Sequence, residues 1–360
     1  MTPTPLPSRD PQGWTRRSVL AGAAGTAAVV PAAPVYAQTP ALNEPITRAI
    51  PKTGERLPVL GLGTFMTFDL LPGAPRDRLQ EVTRRYWDAG ARMIDTSPLY
   101  GAGEVNAGDF AAKLGIGERM FVSNKLWATG EYLADAGAAE RSLDASKLRL
   151  WRERIDLMHV HNLVNVEQNL PLLRAWKAEG RIRYLGVSHH DPAYFPVIAR
   201  LMAEGDLDFV QVRYSIATRQ AEERILRLAA DRGVAVGAHM PFEKARLFRL
   251  VQDRPVPAFA RAAGMETWAA FFLKWVLGHP AITVALAATS DPEHAGQNVA
   301  ALRGPLPDAP TRARMLAHME ALPGFAELET TPWYPGKRYP GLVAQAQAAR
   351  AARLQAGQSR

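Results

Sequence analysis

Four residues in this chain have side chains suited to proton transfer, and each falls at or just past the end of a short apolar run. Asp95 closes Arg92-Met93-Ile94-Asp95, and Tyr100 follows in Thr96-Ser97-Pro98-Leu99-Tyr100-Gly101. Lys125 ends Phe121-Val122-Ser123-Asn124-Lys125, and His161 ends Ile155-Asp156-Leu157-Met158-His159-Val160-His161. A free phenol, with a pKa of about 10, is a slow acid at neutral pH. An adjacent ammonium stabilises the phenolate and lowers that value. Lys125 is the expected ammonium, and Asp95 the carboxylate that keeps it charged and oriented. His161 is expected to hydrogen-bond a ligand oxygen and position it. Such a group suits delivery of a proton to a carbonyl oxygen as a hydride reaches the carbon. Each residue alone has an ordinary structural reading, as a cap, a solvated lysine or a strand-end histidine. Four suitable types at four strand ends carry the argument jointly.

The elements that must position these groups alternate along the chain. Strands are expected at Val59–Phe65, Met93–Thr96, Phe121–Lys125, Ile155–His161, Tyr184–Ser188, Phe209–Tyr214, Val234–Ala238 and Ile282–Ala287. Most are short apolar runs, as in strands buried on both faces of a parallel sheet. Helices are expected at Pro75–Ala89, Asp135–Trp151, Glu167–Ala178, Pro192–Ala203, Ala217–Arg232, Met265–Leu277 and Pro292–Leu302. Asp191 and Asp291 precede Pro192 and Pro292, a good arrangement for a helix start. Eight such units predict an α/β fold, a (β/α)8 TIM barrel, whose active site lies at the carboxyl ends of the strands. A doubly wound open sheet is the structural alternative, but no Gly-x-Gly-x-x-Gly follows any strand. Ahead of the barrel, Ile46–Ile50 and Arg56–Val59 flank Lys52-Thr53-Gly54-Glu55 and read as a hairpin with a glycine turn.

From about Ile46 to Leu322 the chain resembles the aldo-keto reductases. The resemblance rests on Ile50-Pro51-Lys52-Thr53-Gly54-Glu55-Arg56-Leu57-Pro58-Val59-Leu60-Gly61-Leu62-Gly63-Thr64 and on Asp95-Thr96-Ser97-Pro98-Leu99-Tyr100-Gly101. Gly180-Arg181-Ile182-Arg183-Tyr184-Leu185-Gly186-Val187-Ser188 and Thr289-Ser290-Asp291-Pro292-Glu293-His294 add to it. It implies that the hairpin closes the barrel floor, that Asp95, Tyr100, Lys125 and His161 form the catalytic tetrad, and that a nicotinamide supplies the hydride. It also implies that Ser188, His189 and Gln211 hold the nicotinamide carboxamide, with His189 replacing the usual Asn. His239 takes the place of a Tyr that stacks on the ring, and Thr64 and Phe242 belong to the same cofactor set. Thr289, Ser290, His294, Gln297 and Asn298 fall where members hold the adenosine end. Ala288 and His294 stand where NADPH-specific members place Lys and Arg. NADPH is the expected cofactor on family grounds, with NADH as the alternative. Phe65, Trp127 and Asn162 are expected at the substrate mouth, and His159 reads as an interior histidine. The aromatic, Pro-rich segment around Trp333 and Tyr334 either folds over the site or forms a solvated extension.

Composition narrows the classes further. Hydrophobic residues make up 47% and charged residues 22%, which is globular rather than disordered. No cysteine is present, so disulfides, thiol nucleophiles and thiolate metal sites are excluded, and no metal is expected. The net charge of +8 sits mainly in Arg9, Arg16 and Arg17 and in Lys337, Arg338, Arg350, Arg353 and Arg360. The central region is near neutral and shows no basic stripe, which argues against a nucleic-acid partner. Thr15-Arg16-Arg17-Ser18-Val19-Leu20, the Ala/Gly-rich run to Val30 and Val35-Tyr36-Ala37 resemble a twin-arginine (Tat) export signal. The run is too short and too small-residue-rich to be a stable membrane anchor. The expected organisation is a signal at 1–37, a leader at 38–45, a barrel at 46–330 and a tail at 331–360. The expected protein is an exported, periplasmic monomer carried by the Tat machinery that reduces a small-molecule aldehyde or ketone. A nicotinamide-binding sensor or partner subunit with little turnover remains the alternative, as does a leader that is not a signal.

Overall fold

The computed structural model describes residues 44–129 and 136–358. A two-stranded antiparallel hairpin comes first, β1 (Thr47–Ala49) with β2 (Arg56–Pro58). Its turn contains Gly54 at φ +74°, a conformation that favours glycine. Eight parallel strands follow: β3 (Leu60–Gly63), β4 (Met93–Asp95), β5 (Phe121–Leu126), β6 (Ile155–His161), β7 (Ile182–His189), β8 (Phe209–Arg213), β9 (Ala235–His239) and β10 (Val284–Ala287). They pair in chain order, and β10 closes on β3, making a closed barrel. The open-sheet alternative is thereby removed.

Side chains alternate in and out along each strand, and that period builds the site. Met93, Phe121, Leu157, Tyr184 and Phe209 form an apolar layer with Ile50 and Leu57 of the hairpin. Ile50 is fully buried, and Tyr184 Oη lies 3.0 Å from Thr53 Oγ1, so the hairpin seals the barrel floor. Two residues further along the same strands come Asp95, Ser123, His159, Gly186 and Gln211. The Gly186 position has no room for a side chain, since a Cβ there would lie 2.6 Å from His159 Nδ1. Another two residues bring Lys125, His161 and Ser188 to the rim. Parallel strands with a common pleat thus lift an apolar floor into a polar rim.

Most expected helix boundaries hold within a few residues, with short turns split off at Pro192–Tyr194 and Ala300–Leu302, but the expected helix Ala217–Arg232 is shorter, running only over Ile225–Arg232 after a separate turn at Gln220–Glu222. The helices Gly103–Lys113, Arg246–Leu250, Ala258–Ala262 and Ala309–Glu320 have no counterpart among the expected ones, and Gly103–Lys113 bears most directly on the site. Its glycines and polar residues hide the helical pattern, because they face inward. Gly108 packs against the backbone at Arg149 and Leu150, where a Cβ would collide. Glu104, also buried, accepts from Asn124 Nδ2 at 2.9 Å and Arg149 Nη1 at 2.8 Å. The tail ends in a helix, Leu342–Gln358. No described helix is long and apolar enough to cross a membrane. The Arg16–Arg17 motif, its apolar run and most of the leader lie outside the described residues.

Candidate active site

The carboxyl ends of the strands open into a cavity of about 610 Å³, within the size range of small-molecule sites. Asp95, Tyr100, Lys125 and His161 all line it. Lys125 Nζ donates to Asp95 Oδ2 at 2.7 Å and to the Thr96 carbonyl at 2.8 Å. The other Asp95 oxygen accepts from Ser123 Oγ at 2.8 Å and Gln211 Nε2 at 2.9 Å. The ammonium also sits 4.9 Å from the centroid of the Tyr100 ring. Tyr100 packs edge-on against Phe65, with centroids 4.9 Å apart, and against His161 at 5.8 Å.

Electrostatics correct one expectation. Burial, and then the nearby Asp95 carboxylate, push the Tyr100 phenol well above its ordinary value. The Lys125 ammonium beside the ring is itself engaged by Asp95. Burial pulls Lys125 itself down, against the pull of Asp95. The phenol is therefore protonated at neutral pH. Burial, followed by the Lys125 charge, keeps His161 well below its usual range, so its ring is neutral. His161 Nδ1 lies 3.1 Å from Ser97 Oγ, which already accepts from Leu99 N at 3.2 Å. We assign the Ser97 hydrogen to Nδ1, which leaves the ring proton on Nε2 as a donor. Ser97 was not anticipated; its place two residues after Asp95 is the only signal. His159 is interior as expected, with burial bringing it down to about 3.

Beside the tetrad is a polar recess. Ser188 Oγ, Gln211 Oε1 and His239 Nε2 are buried without a hydrogen-bond partner, and all three residues line the cavity. Orphaned buried polar atoms are costly. A carboxamide, with one acceptor and two donors, matches this set, so the residues present fit a nicotinamide. Thr64 and Phe242 also line the cavity, as expected. His189 does not. It follows Ser188 on β7, so alternation turns it outward, where its ring stacks on Tyr194 at 3.9 Å and Nδ1 accepts from Asp191 N at 3.0 Å. His190, not anticipated, lines the cavity instead.

The residues expected at the adenosine end lie outside this cavity, and only Ala288 of that loop reaches it. Thr289 Oγ1 accepts from Asp291 N at 3.0 Å, and Asp291 caps the helix Pro292–Val299. Asn298 is buried and donates to Tyr86 Oη at 3.0 Å. His294 and Ser290 are exposed, and Gln297 is half-buried. At the mouth, Phe65, Trp127 and Asn162 line the cavity, and Trp127 meets His161 edge-on at 5.6 Å. The tail is not a solvated extension. Trp333, Tyr334, Tyr339 and Val343 line the same cavity. Asp69 ties the tail down: its carboxylate accepts from Val343 N at 2.7 Å and from Ala102 N, in the Tyr100 loop, at 3.0 Å. Gly101 and Gly341 lie against Asp69 too closely to admit a Cβ.

The fold and the site together define the class as barrel oxidoreductases. The chain belongs to the aldo/keto reductase family, whose model matches residues 59–313, and is in general terms an NAD(P)H-dependent carbonyl reductase. Among curated relatives, it is 27% identical over 268 residues to an NADH-specific methylglyoxal reductase of Escherichia coli (strain K12), covering 61% of this chain and 81% of that one. It is 24% identical over 335 residues to a pyridoxal 4-dehydrogenase of Microbacterium luteolum, covering 72% and 94%. Among solved structures, an aldo/keto reductase from Klebsiella pneumoniae in complex with NADP and acetate superposes with a TM-score of 0.62 at 25% identity, covering 80% of this chain and 96% of that one.

Proposed function

We propose that the chain reduces a small aldehyde or ketone with Tyr100 as proton donor. The observation that carries this reading is the convergence of the loaded phenol with the orphaned atoms of Ser188, Gln211 and His239 on one cavity. A bound reduced nicotinamide supplies the hydride to the carbonyl carbon. Ser188 and Gln211 would hold its carboxamide, and the His239 ring would lie along it. His161 donates to the carbonyl oxygen and orients it toward Tyr100. As charge develops on that oxygen, Tyr100 releases its proton, and Lys125, held by Asp95, stabilises the phenolate. Phe65, Trp127 and Asn162 shape the mouth, and Trp333 and Tyr334 of the tail close it.

NADPH is the proposed preference and NADH the alternative, since Ala288 and His294 remove two of the cations expected for a 2′-phosphate. Thr289, Ser290, Gln297 and the start of the helix Pro292–Val299 are what remain for that end. A fluorescence titration with both nucleotides tests this. NADPH is expected to bind with a Kd below about 100 μM, in line with common enzyme affinities. No binding of either nucleotide at millimolar concentration would remove the reductase reading.

We also infer export in the folded state through the twin-arginine route, supported by the order of Arg16-Arg17, the small apolar run and Val35-Tyr36-Ala37. A folded passenger can carry its nucleotide with it, which gives this route a physical purpose. Changing Arg16 and Arg17 to Lys is expected to leave the protein in the cytoplasmic fraction. An unchanged distribution would rule the route out.

A further inference from the structure

Of the cations on the cavity wall that the scheme above does not use, Lys244 is the one enclosed by aromatic rings. Lys244 follows β9, in a turn where Glu243, Lys244 and Ala245 all have positive φ, at 50°, 51° and 70°. Non-glycine residues rarely adopt this conformation, and three in succession need a strong anchor. Glu243 is the anchor. It is fully buried and accepts from Arg213 Nε at 3.0 Å, Ser215 Oγ at 2.7 Å and Arg246 Nη2 at 2.6 Å. With Glu243 fixed inward, the next side chain faces the cavity.

Among the described residues, the Lys244 ammonium has no carboxylate within ion-pair distance and no hydrogen-bond partner. Aromatic rings surround it instead: Trp333 at 3.4 Å, Phe65 at 4.6 Å and Tyr334 at 5.8 Å from Nζ to the ring centroids. Such contacts favour a cation, but they do not supply the oxygen acceptors that an ammonium loses on leaving water. The charged groups bearing on it are Arg213, Arg246 and Glu243, while His190 and His239 feel its charge across the cavity. Burial, then the two arginines, brings Lys244 down to about 7. Its Phe65 contact also touches Tyr100, so the ammonium and the proton donor flank one ring.

We propose that Lys244 is a specificity residue that receives an oxyanion of the substrate, so that the site selects carbonyl compounds bearing a carboxylate or similar acid group. This deepens the reductase reading and rests on it for its kinetic test. The aromatic rings around Nζ would hold the body of the compound, and the acid would pair with the ammonium while the carbonyl meets Tyr100 and His161.

The probes are 4-carboxybenzaldehyde and 4-methylbenzaldehyde, which are close in shape and differ in charge. With the full chain and saturating NADPH, Lys244→Met is expected to lower the ratio of kcat/KM for the acid over the neutral aldehyde by about tenfold or more, the range of a charge-assisted hydrogen bond. Lys244→Arg should keep most of the ratio. In the wild type the preference should fade as pH rises above about 7, because the ammonium is present below that value and lost above it. An unchanged ratio in Lys244→Met overturns the proposal. So does a tenfold weaker NADPH Kd with the ratio unchanged, which would give Lys244 to the dinucleotide. Quenching of tryptophan fluorescence by 4-carboxybenzaldehyde gives a readout without turnover. If wild type reduces neither aldehyde, the reductase reading fails, while acid binding lost in Lys244→Met still upholds the receptor and acid binding absent or unchanged overturns it.

Discussion

Replacing Tyr100 by Phe is expected to lower kcat/KM by about a thousandfold while leaving the NADPH Kd within about twofold, in line with the usual worth of a positioned general acid. The reason is local. Phenylalanine keeps the ring, so the edge-on packing against Phe65 and His161 survives. The carboxamide recess of Ser188, Gln211 and His239 contains no atom of Tyr100. Only the hydroxyl is lost, and it is the proposed acid, which burial keeps protonated. A loss smaller than about tenfold would mean that the proton comes from His161 or from water. Equal and negligible turnover in both forms would instead favour a nucleotide-binding sensor.

The second large effect belongs to Lys125. Lys125→Met is expected to reduce kcat by about a hundredfold, from lost stabilisation of the phenolate. It should also destabilise the fold by about 3–5 kcal/mol, since breaking a buried pair strands the remaining charge. Lys125 and Asp95 are both nearly inaccessible, with side-chain exposures of 3% and 8%, so solvent cannot replace the lost partner. Thr96 loses a donor to its carbonyl at the same time. The double variant Asp95→Asn with Lys125→Met removes both charges and should recover much of the stability without recovering turnover. Urea unfolding and steady-state rates on the wild type, Lys125→Met and the double variant separate the two roles. Full stability in Lys125→Met alone would show that Ser123 and Gln211 suffice to hold Asp95.

The tetrad was legible because buried parallel strands are short and apolar, so a charged residue at the end of one stands out. Met93-Ile94-Asp95 and the run ending at Lys125 announce both the strand and the rim. The barrel followed from the count and spacing of such runs. What stayed hidden has identifiable causes. His189 and His190 could have been separated by extending the alternation of Tyr184, Gly186 and Ser188 one step, which turns His189 outward. The helix Gly103–Lys113 hid because its inward face carries Gly108, Glu104 and Asn106, chosen for close approach and buried hydrogen bonds rather than hydrophobicity. Lys244 was beyond reach, since nothing in Glu243-Lys244-Ala245 marks a turn of three left-handed residues. Ser97 and Asp69 act through contacts distant in sequence, as when Asp69 meets Val343. The direction of the phenol pKa depended on burial and on the nearby Asp95 carboxylate, which only the three-dimensional arrangement decides.

Asp69 joins two parts of the molecule with different tasks. One oxygen holds the loop that carries Tyr100, and the other holds the start of the terminal helix whose residues Val343, Gln347 and Arg350 line the cavity. A carboxylate shared in this way would link ordering of the terminal helix to placement of the Tyr100 loop. A ligand that ordered the terminal helix would then lower the freedom of the Tyr100 loop, and by reciprocity a ligand engaged by the phenol would tighten the helix by the same free energy. Affinity gained at the terminal helix and alignment gained at the Tyr100 hydroxyl would then be two expressions of one coupling, carried by a single carboxylate.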